Sequence, residues 1–362
     1  MQFAPTDYTY YTYCVRQQLS VNPKFYLRPF GNSGNNLYFK HNISLPIYRI
    51  LHTMSLSNSF QHKHLLSAAQ LTAQDIDSIT TLAERFLADG LSARNKYEYL
   101  RGKTVVSAFF EGSTRTKLSF ELAARRLGAD VLSFTASASS LSKGESLIDT
   151  LHTIDAMGTD MWIVRHSYSG AVEFMSTFSE CAFVNAGDGQ HEHPTQGLLD
   201  ILTMQQHFGN LNGKKICIIG DILHSRVARS NRYLLQTLGA EVGILAPATL
   251  LPHDISEWKC MRLKTINEAI EWSDCVNILR IQRERMEGGL LPSMEEFSAF
   301  YGVKMKHLRQ KPELLVMHPG PVNYGVEIDH DVAHSLQSVI QKQVHNGVAI
   351  RMAVMALLSG NG

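Results

Sequence analysis

The sequence predicts an α/β protein made of two doubly wound parallel-sheet domains of similar size, joined by helices. Short apolar, β-branched runs alternate along the chain with segments of helical periodicity, and this alternation is typical of parallel sheets whose faces are covered by helices. A strand–helix–strand arrangement in the first half recurs in the second half. With 362 residues, the chain is long enough to bury two cores of ordinary size.

Charge and cysteine usage argue against several classes of partner. The formal net charge is +1, which gives no reason to expect nucleic acid, a membrane surface or an acidic protein partner. The five cysteines are odd in number, scattered and free of C-x-x-C pairs, so neither a disulfide framework nor a zinc knuckle is indicated. No apolar run approaches the roughly 18 residues of a membrane span. We therefore expect a soluble protein of the reducing cytoplasm.

Residues 1–53 differ in composition from the rest of the chain. They contain Asp7 as their single acidic residue and show no sustained helical or strand periodicity. A transit peptide is one interpretation, but such peptides are usually amphipathic and rich in serine and arginine. The other interpretation, which the composition favours, is that Met54 is the translational start. We expect this extension to be disordered or to be an over-called leader.

The first domain is predicted to span residues 54–200. Thr72 and Asp75 form a capping box ahead of an amphipathic helix that ends at Gly90. A strand, a helix that closes at Gly128, a strand, a polar loop, a helix and two further strands follow. Their predicted bounds are Val105–Phe110, Thr114–Leu127, Val131–Phe134, Thr135–Lys143, Ser146–Met157, Met161–Val164 and Ala182–Asn185.

The second domain is predicted to span residues 201–338, with a break between the domains near Gly209 to Gly213. Residues 339–362 are predicted to form a C-terminal helix that returns to the first domain and packs across both, with an interruption at Asn346-Gly347. The strands and the helix of the second domain have the predicted bounds Lys215–Gly220, Ser225–Leu238, Glu241–Ala246, Cys275–Leu279 and Leu314–Met317.

Three hydroxyls and a guanidinium meet at the turn between the first strand and its helix. Ser113, Thr114, Arg115 and Thr116 stand where backbone N–H groups are unpaired and the helix dipole is positive, a place that favours a phosphate group. An ordinary helix cap needs only one hydroxyl, so the pattern indicates an anion site. The glycine spacing matches neither a P-loop nor a dinucleotide fingerprint.

Other polar residues also follow predicted strands or open the loops after them. In open α/β sheets, ligands bind beyond the carboxyl ends of the strands, so these residues are expected to share one cleft. Planar guanidinium groups suit carboxylates and phosphates, and prolines in a turn leave its carbonyl oxygens as acceptors. The residues are Arg165, His193, Gln196, Arg226, Arg280, His318, Pro319, Gly320 and Pro321.

His193 precedes Pro194, which suits the first position of a helix. The positive end of a helix dipole disfavours imidazolium, and a neutral ring can donate a hydrogen bond to an oxyanion. The alternative is a helix cap or a satisfied core histidine. His191 lies nearby, but H-x-H without a cysteine or carboxylate partner is weak evidence for a metal site. We predict neither a metal nor another cofactor.

In their order and spacing, these motifs resemble the catalytic chain of the aspartate carbamoyltransferase family, over about residues 60–358. The resemblance implies transfer of a carbamoyl group from carbamoyl phosphate to L-aspartate, in pyrimidine synthesis. Residues 1–53 have no counterpart in that family. The motifs are Phe110-Glu111-Gly112-Ser113-Thr114-Arg115-Thr116, Lys143-Gly144-Glu145, Arg165-His166, His193-Pro194-Thr195-Gln196, Ser225-Arg226, Leu279-Arg280-Ile281-Gln282, His318-Pro319-Gly320-Pro321 and Asn346-Gly347-Val348.

The resemblance also implies a role for each matching residue. Residues 54–200 would bind carbamoyl phosphate and residues 201–338 would bind aspartate. Catalytic roles are implied for Arg115, Thr116, Arg165, His193 and Lys143. Carbamoyl phosphate contacts are implied for Ser113, Thr114, Arg115, Thr116, Arg165, His193, Gln196, Gly320 and Pro321. Aspartate contacts are implied for Lys143, Arg226, Arg280 and Gln282.

The family resemblance further implies a homotrimer whose sites are shared between subunits. In that family a loop serine and a loop lysine reach into the neighbouring site. Here these would be Lys143 and either Ser139 or Ser140, because the loop has one residue fewer between serine and lysine than in some members. The sequence leaves open whether regulatory chains or other pathway enzymes are partners.

The nearest alternative is an ornithine carbamoyltransferase, which shares the phosphate loop and the His-Pro-x-Gln helix. That enzyme carries a His-Cys-Leu-Pro turn where this chain has His318-Pro319-Gly320-Pro321, and it must bind a cationic side chain. Arg280 and Gln282 would repel ornithine and attract a second carboxylate. A catalytically inactive paralogue is a further alternative, but it predicts losses among the arginines and hydroxyls, and none is lost.

Overall fold

The computed structural model describes residues 60–92, 94–135, 145–281 and 293–360, without the side chain of Thr135. Several predictions concern residues outside these ranges. They are the predictions for residues 1–53, Ser139, Ser140, Lys143 and Gln282.

The first half of the chain forms a four-stranded parallel sheet with the strand order β2-β1-β3-β4. All four strands are parallel, so after each strand the chain crosses back along the sheet before the next strand begins. The carboxyl ends of the four strands therefore lie at the same edge of the sheet. The strands are β1 (Thr104–Phe109), β2 (Asp130–Thr135), β3 (Met161–His166) and β4 (Ala182–Asp188).

The second half forms a five-stranded parallel sheet with the strand order β7-β6-β5-β8-β9. Two parallel sheets in sequence confirm the predicted α/β class. The two-residue edge strand β7 was not predicted, because it is too short to show a period. The strands are β5 (Lys215–Ile219), β6 (Glu241–Leu245), β7 (Met261–Arg262), β8 (Cys275–Ile278) and β9 (Leu315–Met317).

Helices cover both faces of each sheet. The described helices are α1 (Ala73–Asp89), α2 (Thr114–Arg126), α3 (Leu147–Asp155), α4 (Ala171–Ser176), α5 (Pro194–Phe208), α6 (Arg226–Thr237), α7 (Ile266–Trp272), α8 (Met294–Tyr301), α9 (Met305–Gln310), α10 (His330–Ala333) and α11 (Ile340–Ser359). None of these helices is both long and apolar enough to cross a membrane.

Alternate side chains of the strands enter different cores. Val105 of β1 and Ile163 of β3 lie in a core shared with α1 and α11, whereas Val106 and Trp162 lie in a second core with α3 and α4. This period of two with burial on both sides explains why the strands appear in the sequence as continuous apolar runs.

The two halves pack against each other through α5 and α6. Gly197 of α5 faces α6 so closely that a Cβ atom there would lie 2.7 Å from Leu234 Cδ1 and 3.2 Å from Ser230 Cβ. Because α5 follows β4 and α6 follows β5, this close packing brings the carboxyl ends of the two sheets together. The site described below lies at that junction.

The C-terminal helix α11 packs on α1, α2 and α5, as predicted, and it also contacts β9. The prediction of an interruption at Asn346-Gly347 is wrong, since α11 continues through both residues. Asn346 donates to Thr203 Oγ1 at 2.9 Å, so its amide is used in packing against α5. At Gly347 a Cβ atom would lie 2.6 Å from Arg351 Nη1, so the glycine makes room for that guanidinium.

The capping box of α1 provides a test of this part of the fold. Thr72 Oγ1 accepts from the Asp75 amide at 3.2 Å, and Asp75 Oδ2 accepts from the Thr72 amide at 2.9 Å. Thr72→Ala removes one cap, which is expected to cost about 1 kcal/mol and to lower the thermal midpoint by about 2 °C. Gln74→Ala, at an exposed position of the same turn, is the control. Equal midpoints for both variants would contradict the assignment of the cap.

Candidate active site

A cleft of about 720 Å³ lies where the carboxyl ends of both sheets meet. It is lined by every predicted site residue that the structure describes. These residues are Ser113, Thr114, Arg115, Thr116, Arg165, His193, Gln196, Arg226, Arg280, Gly320 and Pro321. The cleft also contains residues that the sequence did not single out for the site, which are described below.

The turn from β1 into α2 forms one wall of the cleft. Ser113 is the N-cap residue of α2, yet among the described residues its side chain makes no capping hydrogen bond. Its hydroxyl is therefore not committed to the helix. The first backbone N–H groups of an α-helix lack partners within the helix, so this turn presents N–H groups and hydroxyls at the positive end of the helix dipole.

The Arg115 guanidinium lies against Gly320, on the opposite wall of the cleft. Gly320 has φ +62°, and a Cβ atom there would be 3.1 Å from Arg115 Nη1. A glycine is required at this position both by the left-handed backbone and by the approach of the arginine. Partial burial, together with repulsion from the Arg280 guanidinium, lowers the pKa of Arg115.

Glu111 holds two of the arginines together. Its Oε1 accepts from Arg165 Nη2 at 2.8 Å and from Arg226 Nη2 at 2.8 Å. Arg165 and Arg226 are both almost fully buried and belong to different halves of the chain. One carboxylate thus bridges two guanidinium groups across the junction of the sheets, which offsets part of their mutual repulsion.

Gly187, at the end of β4, allows these two arginines to approach the backbone. It has φ +115°, and a Cβ atom there would lie 3.0 Å from Arg165 Nη1 and 3.2 Å from Arg226 Cζ. Arg165 Nη1 also donates to the carbonyl oxygen of Ala186 at 3.2 Å. The backbone at the end of β4 therefore holds the guanidinium groups of Arg165 and Arg226 in position.

His193 is buried at the N-terminus of α5, and its backbone N–H donates to Ser230 Oγ at 2.9 Å. Burial lowers the pKa of His193 well below 6.5, and the guanidinium groups of Arg165, Arg351 and Arg226 lower it further. The ring is therefore neutral, as predicted, although burial rather than the helix dipole is the main cause. Among the described residues Nδ1 has no hydrogen-bond partner.

Glu111 and Arg351 were not selected from the sequence. Glu111 was quoted only as part of the motif around Ser113, and a carboxylate two residues before an anion turn was a usable signal. Arg351 is the one arginine in the apolar helix α11 and is buried. Burial lowers its pKa to about 10, and its guanidinium lies 4.9 Å from the ring centre of Phe120, within cation–π range.

Positive charge dominates the cleft. Its described lining contains five arginines and one carboxylate, Glu111. Such an excess in a partly desolvated cavity attracts anionic ligands strongly. The arginines are Arg115, Arg165, Arg226, Arg280 and Arg351. In the described ranges no group of three or more His, Cys, Asp or Glu side chains is arranged to hold a metal ion.

Comparisons of this chain with family models and with known proteins all indicate the same family. The family model described as aspartate/ornithine carbamoyltransferase, carbamoyl-P binding domain, matches residues 63–206, and the Asp/Orn binding domain of the same family matches residues 212–358. The aspartate carbamoyltransferase catalytic subunit of Maricaulis maris is 50% identical over 307 residues, which cover 84% of this chain and 96% of that protein.

Solved structures have the same fold. The aspartate transcarbamoylase of Trypanosoma cruzi in complex with carbamoyl phosphate aligns with a TM-score of 0.73 and 31% identity, over 82% of this chain and 97% of the other. The ornithine carbamoyltransferase of Pyrococcus furiosus aligns with a TM-score of 0.73 and 26% identity, over 83% and 97%. With its two family domains and its 50% identical relative, the chain belongs to the aspartate/ornithine carbamoyltransferase family.

Proposed function

We propose that this chain transfers the carbamoyl group of carbamoyl phosphate to the α-amine of L-aspartate, giving N-carbamoyl-L-aspartate and phosphate for pyrimidine synthesis. The observation that carries the proposal is one cleft whose described lining contains five arginines and one carboxylate, next to a helix N-terminus at which Ser113 makes no capping hydrogen bond. Two anionic substrates bound side by side need such an excess of positive charge. The 50% identity to a catalytic subunit named for aspartate supports this acceptor.

Carbamoyl phosphate occupies the wall formed by the β1–α2 turn. Its phosphate takes the hydroxyls of Ser113, Thr114 and Thr116 and the backbone N–H groups of the turn. Arg115, which lies against Gly320, reaches the same phosphate. The carbonyl oxygen faces Thr116, Arg165 and His193, and the carbamoyl nitrogen faces Gln196 and the carbonyl oxygens of Gly320 and Pro321.

Aspartate occupies the side of the cleft formed by the second sheet. Arg226 and Arg280 take its two carboxylates, with Gln282 and a neighbouring chain's Lys143 as further contacts. Arg226 donates to Glu111 from Nη2 and Nη1, and to the carbonyl oxygen of Gly189 from Nη1. The N–H groups that take the substrate carboxylate are therefore the second one of Nη2 and that of Nε. The ammonium group of ornithine would face guanidinium groups instead, and like charges in contact cost several kcal/mol.

The chemistry follows from where charge develops. The neutral α-amine attacks the carbonyl carbon, a carbon–nitrogen bond forms, and negative charge grows on the carbonyl oxygen. The carbon–oxygen bond to phosphate then breaks, and phosphate leaves with the electron pair and accepts the amine proton. Arg165 and the neutral ring of His193 stabilise the oxyanion, and Arg115 stabilises the departing phosphate. Holding both substrates in line lowers the barrier further.

The assembly proposed is a homotrimer in the cytoplasm with sites shared between subunits. Residues 54–200 form the carbamoyl phosphate domain and residues 201–338 the aspartate domain. Lys143, with Ser139 or Ser140, enters the site of the neighbouring chain. The word "subunit" in the names of the relatives supports an oligomer.

A competition between acceptors tests the proposed function. Purified chain is given carbamoyl phosphate with equal concentrations of L-aspartate and L-ornithine, and both carbamoylated products are measured. We expect N-carbamoyl-L-aspartate and no citrulline, because the acceptor side carries Arg226 and Arg280. Citrulline as the main product would support the ornithine alternative, and no product from either acceptor would support an inactive paralogue.

Arg115→Ala tests the electrostatic mechanism. Loss of one preorganised cation is expected to reduce kcat by about 10²- to 10³-fold, equal to about 3 to 4 kcal/mol of barrier. Arg125→Ala is the matched control, since Arg125 is an exposed arginine of the same helix α2. Turnover of Arg115→Ala equal to that of the control would contradict this account of catalysis.

A mixing experiment tests the shared site. Lys143→Ala and Arg115→Ala chains are each expected to be nearly inactive alone. In randomly mixed trimers about a quarter of the sites combine an intact Arg115 with an intact Lys143 from the neighbour. Activity should therefore reappear after the two variants are denatured together and refolded. No recovery in verified mixed oligomers would mean that both residues act within one chain.

A further inference from the structure

Asp200 is a fully buried carboxylate outside the cleft, and side-chain amides surround it. Its Oδ1 accepts from Gln196 Nε2 at 3.0 Å and from Gln343 Nε2 at 2.8 Å. Its Oδ2 accepts from Asn231 Nδ2 at 2.8 Å and from Asn277 Nδ2 at 3.2 Å. Four donors on one carboxylate satisfy both oxygens, which a buried ionised group requires.

The four amides come from four elements that build the cleft. Gln196 is on α5, and Asn231 is on α6, whose first residue is Arg226. Asn277 is on β8, three residues before Arg280. Gln343 is on α11, and its Oε1 accepts from the backbone N–H of His318 at 3.0 Å, at the turn that contains Gly320. One side chain thus connects four of the elements that line the cleft; the β1–α2 turn and β3, which carries Arg165, are not among them.

A carboxylate also fixes which way each amide points. An ionised carboxylate accepts hydrogen bonds and donates none, so each amide turns its nitrogen towards Asp200. For Gln343 this leaves Oε1 for the His318 N–H. For Gln196, which lines the cleft, it turns Oε1 away from Asp200, and this oxygen is an acceptor suited to the N–H groups of a carbamoyl nitrogen.

We propose that Asp200 is a positioning residue for the carbamoyl transfer reaction, which orients the Gln196 amide towards the carbamoyl nitrogen and holds the His318–Pro321 turn through Gln343. This role rests on the proposed function, because its effect is measured in that reaction. Asp200 touches no substrate and acts through the amides that surround it.

The energetics of Asp200 argue against a purely stabilising role. Burial raises its pKa to about 6, although the donated hydrogen bonds lower it. A carboxylate whose folded pKa is raised makes the fold less stable as the pH rises from about 4 to about 6, because the unfolded chain releases the proton first. At neutral pH Asp200 is thus ionised, although burial of the ionised carboxylate lowers the stability of the folded protein.

The neighbouring titratable groups have different effects on this carboxylate. α11 presents the Arg351 guanidinium, which interacts favourably with the ionised form. β8 presents the Cys275 thiol, whose pKa burial raises well above 9, so it stays neutral. α5 also carries His193, whose pKa burial lowers well below 6.5, and α6 faces Asp200 with the amide of Asn231.

Asp200→Asn tests the orienting role with almost no change in shape. Its amide nitrogen would face two N–H donors, so at least one pair of amides must turn or separate. We expect kcat to fall by about 10- to 100-fold, as for misplacement of a positioned group, and KM for carbamoyl phosphate to rise more than KM for aspartate. We also expect the wild-type decline of kcat below about pH 6 to be absent in the variant.

Asn231→Ala keeps Asp200 and removes one donor, so it remains informative if Asp200→Asn does not fold. Loss of a donor to the ionised form raises the pKa of the carboxyl, and the acidic decline of kcat should move to higher pH. Asn346→Ala is the matched control, because Asn346 is a buried amide of α11 that donates to Thr203 and Gln206 instead. It should lower the thermal midpoint and leave the pH profile of kcat unchanged.

Three outcomes overturn the role of Asp200. They are a folded Asp200→Asn variant with wild-type kcat, an Asn231→Ala variant with an unshifted pH profile, and a control that shifts the profile as far as Asn231→Ala does. In each of these cases the wild-type chain still transfers carbamoyl groups, and the proposed function stands. A wild-type chain without carbamoyl transfer overturns the proposed function, and this role with it.

Discussion

The crowding of guanidinium groups into one cleft is the constraint on which the rest of the structure depends. Like charges repel, and burial weakens the screening by water, so the fold must hold these groups by other means. It does so with a shared carboxylate, Glu111, and with strand-end backbone that Gly187 allows the arginines to approach. Burial, together with repulsion from a neighbouring arginine, lowers the pKa values of Arg115 and Arg351.

The sequence predicted the parts of the site that depend on local pattern. A β-branched run, the polar segment from Ser113 to Thr116 and an amphipathic pattern predict a strand, a turn and a helix in that order. The prediction is possible because strands and helices have different hydrophobic periods. Parallel sheets then place all strand ends at one edge. Arg165 and Arg280 could therefore be assigned to one cleft, although they are 115 positions apart in the sequence. In the structure both arginines line the same cleft.

The parts that were missed depend on contacts between distant residues. The bond between Arg226 and Glu111 joins positions 115 apart, and the bond between Gln343 and Asp200 joins positions 143 apart. No local period reports such pairs. The wrong interruption at Gly347 has a similar origin. Glycine is a poor helix former, but a Cβ atom at this position would lie 3.1 Å from Leu199 Cδ2 of α5 and 2.6 Å from Arg351 Nη1 of the next turn, and this close packing explains why a glycine stands inside a continuous helix.

Glu111, which is partly exposed at the cleft, and the buried Asp200 have two different tasks that the fold alone does not perform. The ornithine and aspartate enzymes align with this chain at the same TM-score of 0.73, so the backbone does not select the acceptor. Selection lies in the few groups whose charge and direction are fixed at the cleft. Glu111 sets the charge by bridging Arg165 and Arg226, and Asp200 sets the direction of the amides behind them. In the proposed site, a change of acceptor would therefore require a change at Arg226, Arg280 and the groups that hold them, with the strands and the carbamoyl phosphate side left in place.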